Sequence, residues 1–216
     1  NTIANMHKHF QDYRFDLMAQ TIYEFIWNEY CDWYVELAKP ILTNTSSPAS
    51  QETLSCLIFV LEICLRLLHP IMPFITEEIW QRVKGLAGVS GDTIMLQPYP
   101  IADNHQINLE AEETIAWVQS IILSVRNIRG EMNISPAIAL PLYLQNGSTA
   151  DEKRLNANMQ YLKKLAKLES ITWINANEEA PLSAIQLVGE MQVLVPMAGF
   201  INKDAELTRL QKEIDK

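Results

Sequence analysis

The chain has 216 residues, of which 48% are hydrophobic, so it is long enough and apolar enough for one large globular domain or two small ones. Its formal net charge of -9 argues against unselective attraction to nucleic acid, so any contact with RNA has to be local. The longest apolar run, after Cys56, is interrupted by Glu62 and Arg66 and is too short to cross a membrane.

The first predicted elements are two helices separated by a turn. The opening residues resemble the middle of a helix, which suggests a piece of a larger protein, and YRFD at 13–16 is typical of a turn. From Asp16 to Lys39 apolar residues recur every three or four positions, which predicts an amphipathic helix that ends at Pro40. The polar stretch TNTSSPAS (43–50) then indicates a loop.

The next predicted helix runs from about Gln51 to His69 and is apolar on nearly every side. Glu62 and Arg66 form an i,i+4 pair on its one charged strip. We expect this helix to be the most buried one.

Two prolines interrupt the helical pattern in LHPIMPFITEEIW (68–80). Pro70 has no amide hydrogen to continue a helix, whereas Pro73 suits the first turn of a new one. Glu77 and Glu78 are predicted to fall in that first turn, where exposed amide groups favour negative charge. The stretch therefore predicts a tight reversal between two helices.

The elements that follow the reversal complete a helical bundle. A helix from about Phe74 to Lys84 leads into a long connection that contains glycine and proline, and then into a helix from about Leu109 to Glu131. Together with the earlier helices they predict an up-and-down bundle over residues 1–135, with its first helix truncated.

Beyond Pro136 the apolar period changes to two in IALPLYL (138–144), which predicts a strand. A helix from about Ala150 to Leu168 and short strands in ITWIN, SAIQLV and MQVLVP complete a small α/β unit over residues 136–200. Residues 201–216 are predicted to begin a coiled coil, because apolar residues recur there at heptad-like spacing: Leu207, Leu210 and Ile214. The predicted fold class is thus mainly α, a bundle followed by an α/β unit and the start of a coiled coil.

Topology predicts which turns of the bundle meet. Alternate connections of an up-and-down bundle lie at the same end, so the turns at 13–16 and 68–74 and the helix end at 126–133 should share one pole. Four of the seven arginines would gather there with three aromatic residues: Arg14, Arg66, Arg126, Arg129, Tyr13, Phe15 and Phe74. This mixture suits single-stranded RNA, because bases stack on rings and guanidinium planes while phosphates take the charge.

Plainer interpretations of the same residues stay open. Carboxylates such as Asp16 and Glu131 are predicted near this pole, so the arginines could simply form ion pairs on a solvated surface. Phe15 and Phe74 could be core residues that fix the angle at which each helix begins. A further basic helix face is either another RNA contact or a solvated surface: Lys153, Arg154, Lys163, Lys164 and Lys167.

The cysteines and histidines show no metal-binding pattern. Cys31, Cys56 and Cys64 lie in apolar helical segments without CxxC spacing, which indicates buried free thiols in a cytosolic protein. His7 and His9 are two residues apart and so point in different directions on a helix. We predict no metal site.

Several stretches resemble one known family. Five stretches are similar to the C-terminal region of bacterial valyl-tRNA synthetases: NEYCDWYVELAKP (28–40), LRLLHPIMPFITEEIWQRV (65–83), TIMLQPYP (93–100), VRNIRGEMNISP (125–136) and VPMAGFINKDAEL (195–207). HPIMPFITEEIW is shared by class I synthetases for aliphatic amino acids and does not choose among valine, isoleucine and leucine. CDWY and RNIRGEMN favour valine.

The resemblance implies an anticodon-binding bundle of the class I synthetase type, then a small α/β unit and a coiled-coil arm. The parent enzyme implied is a cytoplasmic monomer without membrane contact, which uses ATP and Mg to activate valine and attaches it to its tRNA. The ATP-binding signatures and the editing domain do not occur here. This piece should therefore hold no catalytic residue and no cofactor, and should be inactive in aminoacylation.

The partner implied is the anticodon loop of valine tRNA. Valine anticodons have A in the middle and C last, so a reader of them needs stacking surfaces and hydrogen-bonding groups. The predicted tRNA-binding residues are those that topology places at the pole: Arg14, Phe15, Phe74, Arg126, Asn127 and Arg129. Asn133 is a weaker candidate, since Asn after a helix also serves as a cap. The alternatives are the equivalent domain of isoleucyl-tRNA synthetase and a helical protein-interaction scaffold.

Overall fold

The computed structural model describes residues 1–43, 47–175 and 177–197. These residues are mainly helical and include one small sheet, which confirms the predicted fold class. The predicted start of a coiled coil, residues 201–216, lies outside the described residues. The chain divides into two compact units, Asn1–Ile107 and the part from Asn108 onward.

The first unit is a set of helices joined by tight turns. Its elements are α1 Thr2–Gln11, α2 Phe15–Glu24, a π-helical segment Phe25–Val35, α3 Glu36–Leu42, α4 Pro48–Leu68 and α5 Pro73–Val83. Two short 3-10 turns follow in the connection after α5: Ile94–Leu96 and Asn104–Gln106. In the described part of the chain, no helix is long and apolar enough to cross a membrane.

Helices α2 and α3 are continuous through the π-helical segment, and Pro40 lies inside α3. The prediction that this helix ends at Pro40 is therefore wrong. Proline removes one hydrogen bond to the residue four positions earlier, which here is Glu36. Glu36 directly follows the π-helical segment, and its amide donates to the carbonyl of Trp33. The hydrogen bond that Pro40 cannot make is therefore lost at a point where the helical hydrogen-bond pattern is already irregular.

The core of the first unit sets the direction of its helices. The core is a cluster of side chains at most 1% exposed: Met6, Met18, Ile22 and Leu67. Met18 near the start of α2 shares this cluster with Leu67 near the end of α4. Farther along the chain, the hydroxyl of Tyr30 donates to the carbonyl of Leu57, which lies earlier in α4. The two helices are therefore antiparallel. The turn before α2 and the reversal after α4 therefore lie at the same end of the first unit.

The second unit is an α/β arrangement. Its elements are α6 Leu109–Glu131, β1 Leu140–Gln145, α7 Thr149–Leu165, β2 Leu168–Ile174, β3 Ser183–Val188 and β4 Met191–Pro196. The strand order is β2-β1-β4-β3, with β1 and β2 parallel and the other neighbours antiparallel. Ser148 begins α7 with a capping box, in which Ser148 and Asp151 each accept the other's backbone N–H.

Helix α6 belongs to the second compact unit, because it packs against α7, β3 and β4. The sequence pattern placed this helix with the bundle over residues 1–135, so the compact units divide the chain earlier, after Ile107. Compactness does not decide which helices act together, and the domain ranges 1–135 and 136–200 stay a prediction.

The three cysteines are free, as predicted, but only Cys64 is buried. Cys31 and Cys56 are exposed, so the prediction of buried thiols is wrong for these two. An apolar helical neighbourhood in the sequence does not reveal which face of the helix a residue occupies.

Candidate nucleic-acid interface

The reversal between α4 and α5 is held by polar contacts of the buried Thr76. His69 Nδ1 lies 2.8 Å from the hydroxyl of Thr76, and that hydroxyl donates to the carbonyl oxygen of Met72 at 2.7 Å. One hydroxyl thus links His69 at the end of α4 to Met72 at the start of α5. Thr76 is completely buried, so its hydroxyl anchors the reversal from the inside.

Glu77 ties the start of α5 to the connection that follows the helix. Its carboxylate accepts hydrogen bonds from Gln81 at 2.6 Å, from the hydroxyl of Thr93 at 2.7 Å and from the amide of Ile94 at 3.1 Å. The bonds from Gln81 and Thr93 lower the pKa of Glu77. The prediction of a first-turn position is wrong, because α5 begins at Pro73 and Glu77 lies in its second turn.

A buried carboxylate joins α4 to α5. One oxygen of Glu62 accepts from Arg66 Nε and Nη2 at 3.0 and 2.8 Å, and the other accepts from the indole of Trp80 at 3.0 Å. Arg66 also donates to the carbonyl of Pro98 at 2.8 Å. The predicted pair is confirmed, but Glu62 is 1% exposed and its strip is not solvated. Arg66 is thus part of the internal packing.

Three aromatic side chains project from the two turns at one end of the first unit. Phe74 is 90% exposed, Tyr13 is 80% exposed and Phe15 is 55% exposed. Phe15 meets Phe10 and Tyr13 edge on, with ring centroids 6.2 and 6.4 Å apart. Phe15 and Phe74 are therefore not core residues, and their rings are open to a ligand.

Tyr13 adopts a left-handed backbone conformation with φ of 56°. This conformation costs a residue with a Cβ about 1–2 kcal/mol, and such strain is concentrated at functional sites. Tyr13 was placed at the pole by the sequence pattern but was not among the predicted contacts. Its strain and exposure add it to the candidates, and no sequence signal indicates a positive φ for tyrosine.

Arg14 forms a two-point ion pair with Asp16. Its Nε donates to one carboxylate oxygen at 2.9 Å and its Nη2 to the other at 2.6 Å. These bonds from Arg14 lower the pKa of Asp16 to about 2. The pair fits the interpretation of a surface ion pair, yet half of the Arg14 side chain, 54%, stays accessible to a ligand.

The other predicted contacts lie at the end of α6 in the second unit. Arg126 and Asn127 are exposed, whereas Arg129 is buried. The guanidinium of Arg129 donates to the carbonyl oxygens of Ser135 at 3.0 Å and of Ala166 and Lys167 at 3.1 Å each. Burial lowers the pKa of Arg129. Arg129 thus joins the turn after α6 to the turn after α7.

A surface pocket of about 420 Å³ adjoins this arginine. It is lined by Arg126, Arg129, Gly130, Asn133, Ile134 and Pro136. Asn133 has a left-handed φ of 52°, which asparagine tolerates better than most residues. Asn133, only a weak candidate from the sequence, therefore lines the same cavity as two of the predicted arginines.

The structure brings the predicted residues together in two groups. Arg14, Phe15 and Phe74 lie at one end of the first unit, and the residues from Arg126 to Arg129 lie at the end of α6. That these groups meet at one pole stays a prediction. Within the described ranges, there is no group of three or more His, Cys, Asp or Glu placed to hold a metal ion.

One family comparison covers both groups of residues. A family model described as the anticodon-binding domain of tRNA ligase matches residues 1–144. The match includes all of the first unit, α6 and most of β1, and so contains both groups of candidate residues. A match over this share of the sequence shows that the chain belongs to the family of anticodon-binding domains of tRNA ligases, whose role is to recognise the anticodon of a tRNA.

Proposed function

We propose that the chain reads the anticodon of valine tRNA as part of valine-tRNA ligase, which activates valine with ATP and attaches it to its tRNA. The observation that carries the site is Phe74, which is 90% exposed beside a turn that the hydrogen bonds of the buried Thr76 anchor. The choice of valine rests on the resemblance of CDWY and RNIRGEMN to valyl-tRNA synthetases.

Base stacking supplies most of the binding energy in this proposal. Each base stacked on an aromatic ring contributes about 1–3 kcal/mol, and Phe15, Phe74 and Tyr13 offer three accessible rings. Because Thr76 anchors the turn that bears Phe74, the turn loses less conformational entropy when RNA binds than an unanchored loop would. Arg14 adds a guanidinium plane beside the rings.

The end of α6 contributes polar contacts. Arg126 and Asn127 are exposed, and an amide such as that of Asn127 offers both a donor and an acceptor, as an adenine edge requires. Arg129 is proposed to act from its buried position through its charge.

The remaining parts of the parent enzyme carry the chemistry in this proposal. Valine activation, with its ATP and Mg, belongs to the segments that bear the ATP-binding signatures. The parent enzyme is proposed to act as a monomer in the cytoplasm, where tRNA is charged.

Two RNA stem-loops that differ in one base test the specificity. The anticodon GAC encodes valine and GAU encodes isoleucine, so labelled stem-loops with these anticodons differ only in the last anticodon base. Fluorescence anisotropy is expected to show tighter binding of the chain to GAC. Preference for GAU would favour the isoleucine enzyme, and binding to neither would favour a protein-interaction scaffold.

Phe74→Ala tests the site. Loss of one stacked base is expected to weaken binding about 5- to 150-fold, which corresponds to about 1–3 kcal/mol. Thermal unfolding should not change, because the ring is exposed. Leu86→Ala removes another exposed apolar side chain from the same unit and is the matched control. Unchanged affinity of Phe74→Ala in a titration would contradict the assigned site.

A further inference from the structure

The pocket at the end of α6 carries an inference that rests on the proposed function. We propose that this pocket binds a backbone phosphate of the RNA, with Arg126 as the direct contact and Arg129 as a buried source of positive charge. Base reading is then left to the aromatic turns of the first unit and to Asn127, which does not line the pocket.

Arg129 is a buried cation whose hydrogen bonds, within the part of the chain that the structure describes, go to neutral groups. Its partners are the carbonyl oxygens of Ser135, Ala166 and Lys167. Among the described residues, no carboxylate oxygen lies within 4.0 Å of its nitrogens. A buried charge is stable when an opposite charge compensates it, so an anion in the adjoining pocket would complete this site.

The first unit contains the contrasting case. Arg66, with 18% of its side chain exposed, also donates to a backbone carbonyl, but the buried carboxylate of Glu62 neutralises it. Over the described ranges, the chain thus compensates one largely buried arginine with a carboxylate and offers the other carbonyl dipoles alone. The difference points to an external anion at Arg129.

The lining of the pocket favours a phosphate over a base. The described residues of this lining include two guanidinium groups and the amide of Asn133, and none of them is aromatic. A guanidinium fork matches two phosphate oxygens. The C-terminal end of α6 opposes an anion with about half an elementary charge, which the positive charge of Arg129 exceeds.

The salt dependence of RNA binding tests the proposal. Each phosphate contact with single-stranded nucleic acid contributes about 0.7 to the slope of log K against log salt concentration. For binding of the GAC stem-loop, Arg126→Gln is expected to lower the magnitude of this slope by about the same amount. The variant should also weaken binding of the GAC and GAU stem-loops by the same factor, because a phosphate carries no sequence information. Lys39→Gln removes one exposed positive charge from α3 and should leave the slope unchanged.

A second measurement does not depend on the stability of a variant. Single phosphates of the loop are replaced in turn by neutral methylphosphonates. Substitution at one position is expected to lower the magnitude of the salt-dependence slope of the wild-type chain by about 0.7. The same substitution should leave the slope of Arg126→Gln unchanged.

The outcomes separate the two proposals. An unchanged slope for Arg126→Gln, or a loss confined to the GAC stem-loop, would overturn the phosphate pocket while RNA binding stands. If the wild-type chain binds neither stem-loop, the proposed function itself fails.

Discussion

Glu62→Gln is expected to destabilise the first unit far more than Glu78→Gln, although both residues pair with an arginine four positions later. Glu62 is 1% exposed and also accepts from Trp80. The side chains of Glu78 and Arg82 are 63% and 79% exposed. The chain therefore offers the same pair in a buried and in a solvated setting.

The magnitude follows from the acceptors that are lost. Glutamine keeps one accepting oxygen and replaces the other with an amide that only donates, so either Arg66 or Trp80 loses its partner. Breaking a buried pair costs about 3–5 kcal/mol, and the retained acceptor places Glu62→Gln near about 3 kcal/mol. An exposed pair contributes about 0.2–1 kcal/mol. At about 4–8 °C per kcal/mol, the melting temperature falls by more than about 10 °C for Glu62→Gln and by a few degrees for Glu78→Gln.

Hydrogen exchange measured by mass spectrometry reports the two units separately. Amide protection in α4 and α5 is expected to fall in Glu62→Gln, while peptides from β1 and β4 keep theirs. Equal losses in the two variants would refute the reasoning, because they would mean that burial adds nothing to the pair.

Two further predictions concern the tip of the first unit and a glycine of the second. The Asp16 carboxyl is expected to titrate in NMR with a pKa of about 2, and Arg14→Ala should return it toward about 3.9. Because the pKa of Asp16 is lower in the folded chain, the pair stabilises the fold above about pH 3.9 and loses this effect as the pH falls through about 2. A titration midpoint of Asp16 near 4 in the wild-type chain would contradict this prediction. Gly147→Ala is expected to cost about 1–3 kcal/mol in thermal unfolding, because a Cβ would collide with the indole of Trp173. Gly85→Ala, with open space at the Cβ, is the control, and equal melting temperatures would contradict the packing argument.

Local patterns in the sequence predicted where the helices and strands lie. The apolar period identified α6 at Leu109–Glu131 without error, and the change to period two identified the strand β1. Pro40 is one exception, since its neighbouring π-helical segment has no recognised sequence signal, and Pro48 is another, since α4 begins there inside the predicted loop 43–50.

The candidate site was predictable only in part. The turns that carry Phe15 and Phe74 followed from proline positions and from alternation of helix direction, both of which are properties of short stretches. Exposure of their rings did not follow, because an aromatic residue at a helix start suits either the core or the surface.

The sequence alone determined the order of the elements, the reversal at HPIMPF and the family resemblance, because each depends on residues close together in the chain. Tertiary structure decided what each arginine does. The partners of Arg66 and Arg129 include carbonyl groups of Pro98, Ala166 and Lys167, which lie 32 to 38 positions away. The groups that the fold places beside a guanidinium decide whether it serves internal packing or can bind RNA. Because these groups are distant in the chain, no local sequence pattern predicts them.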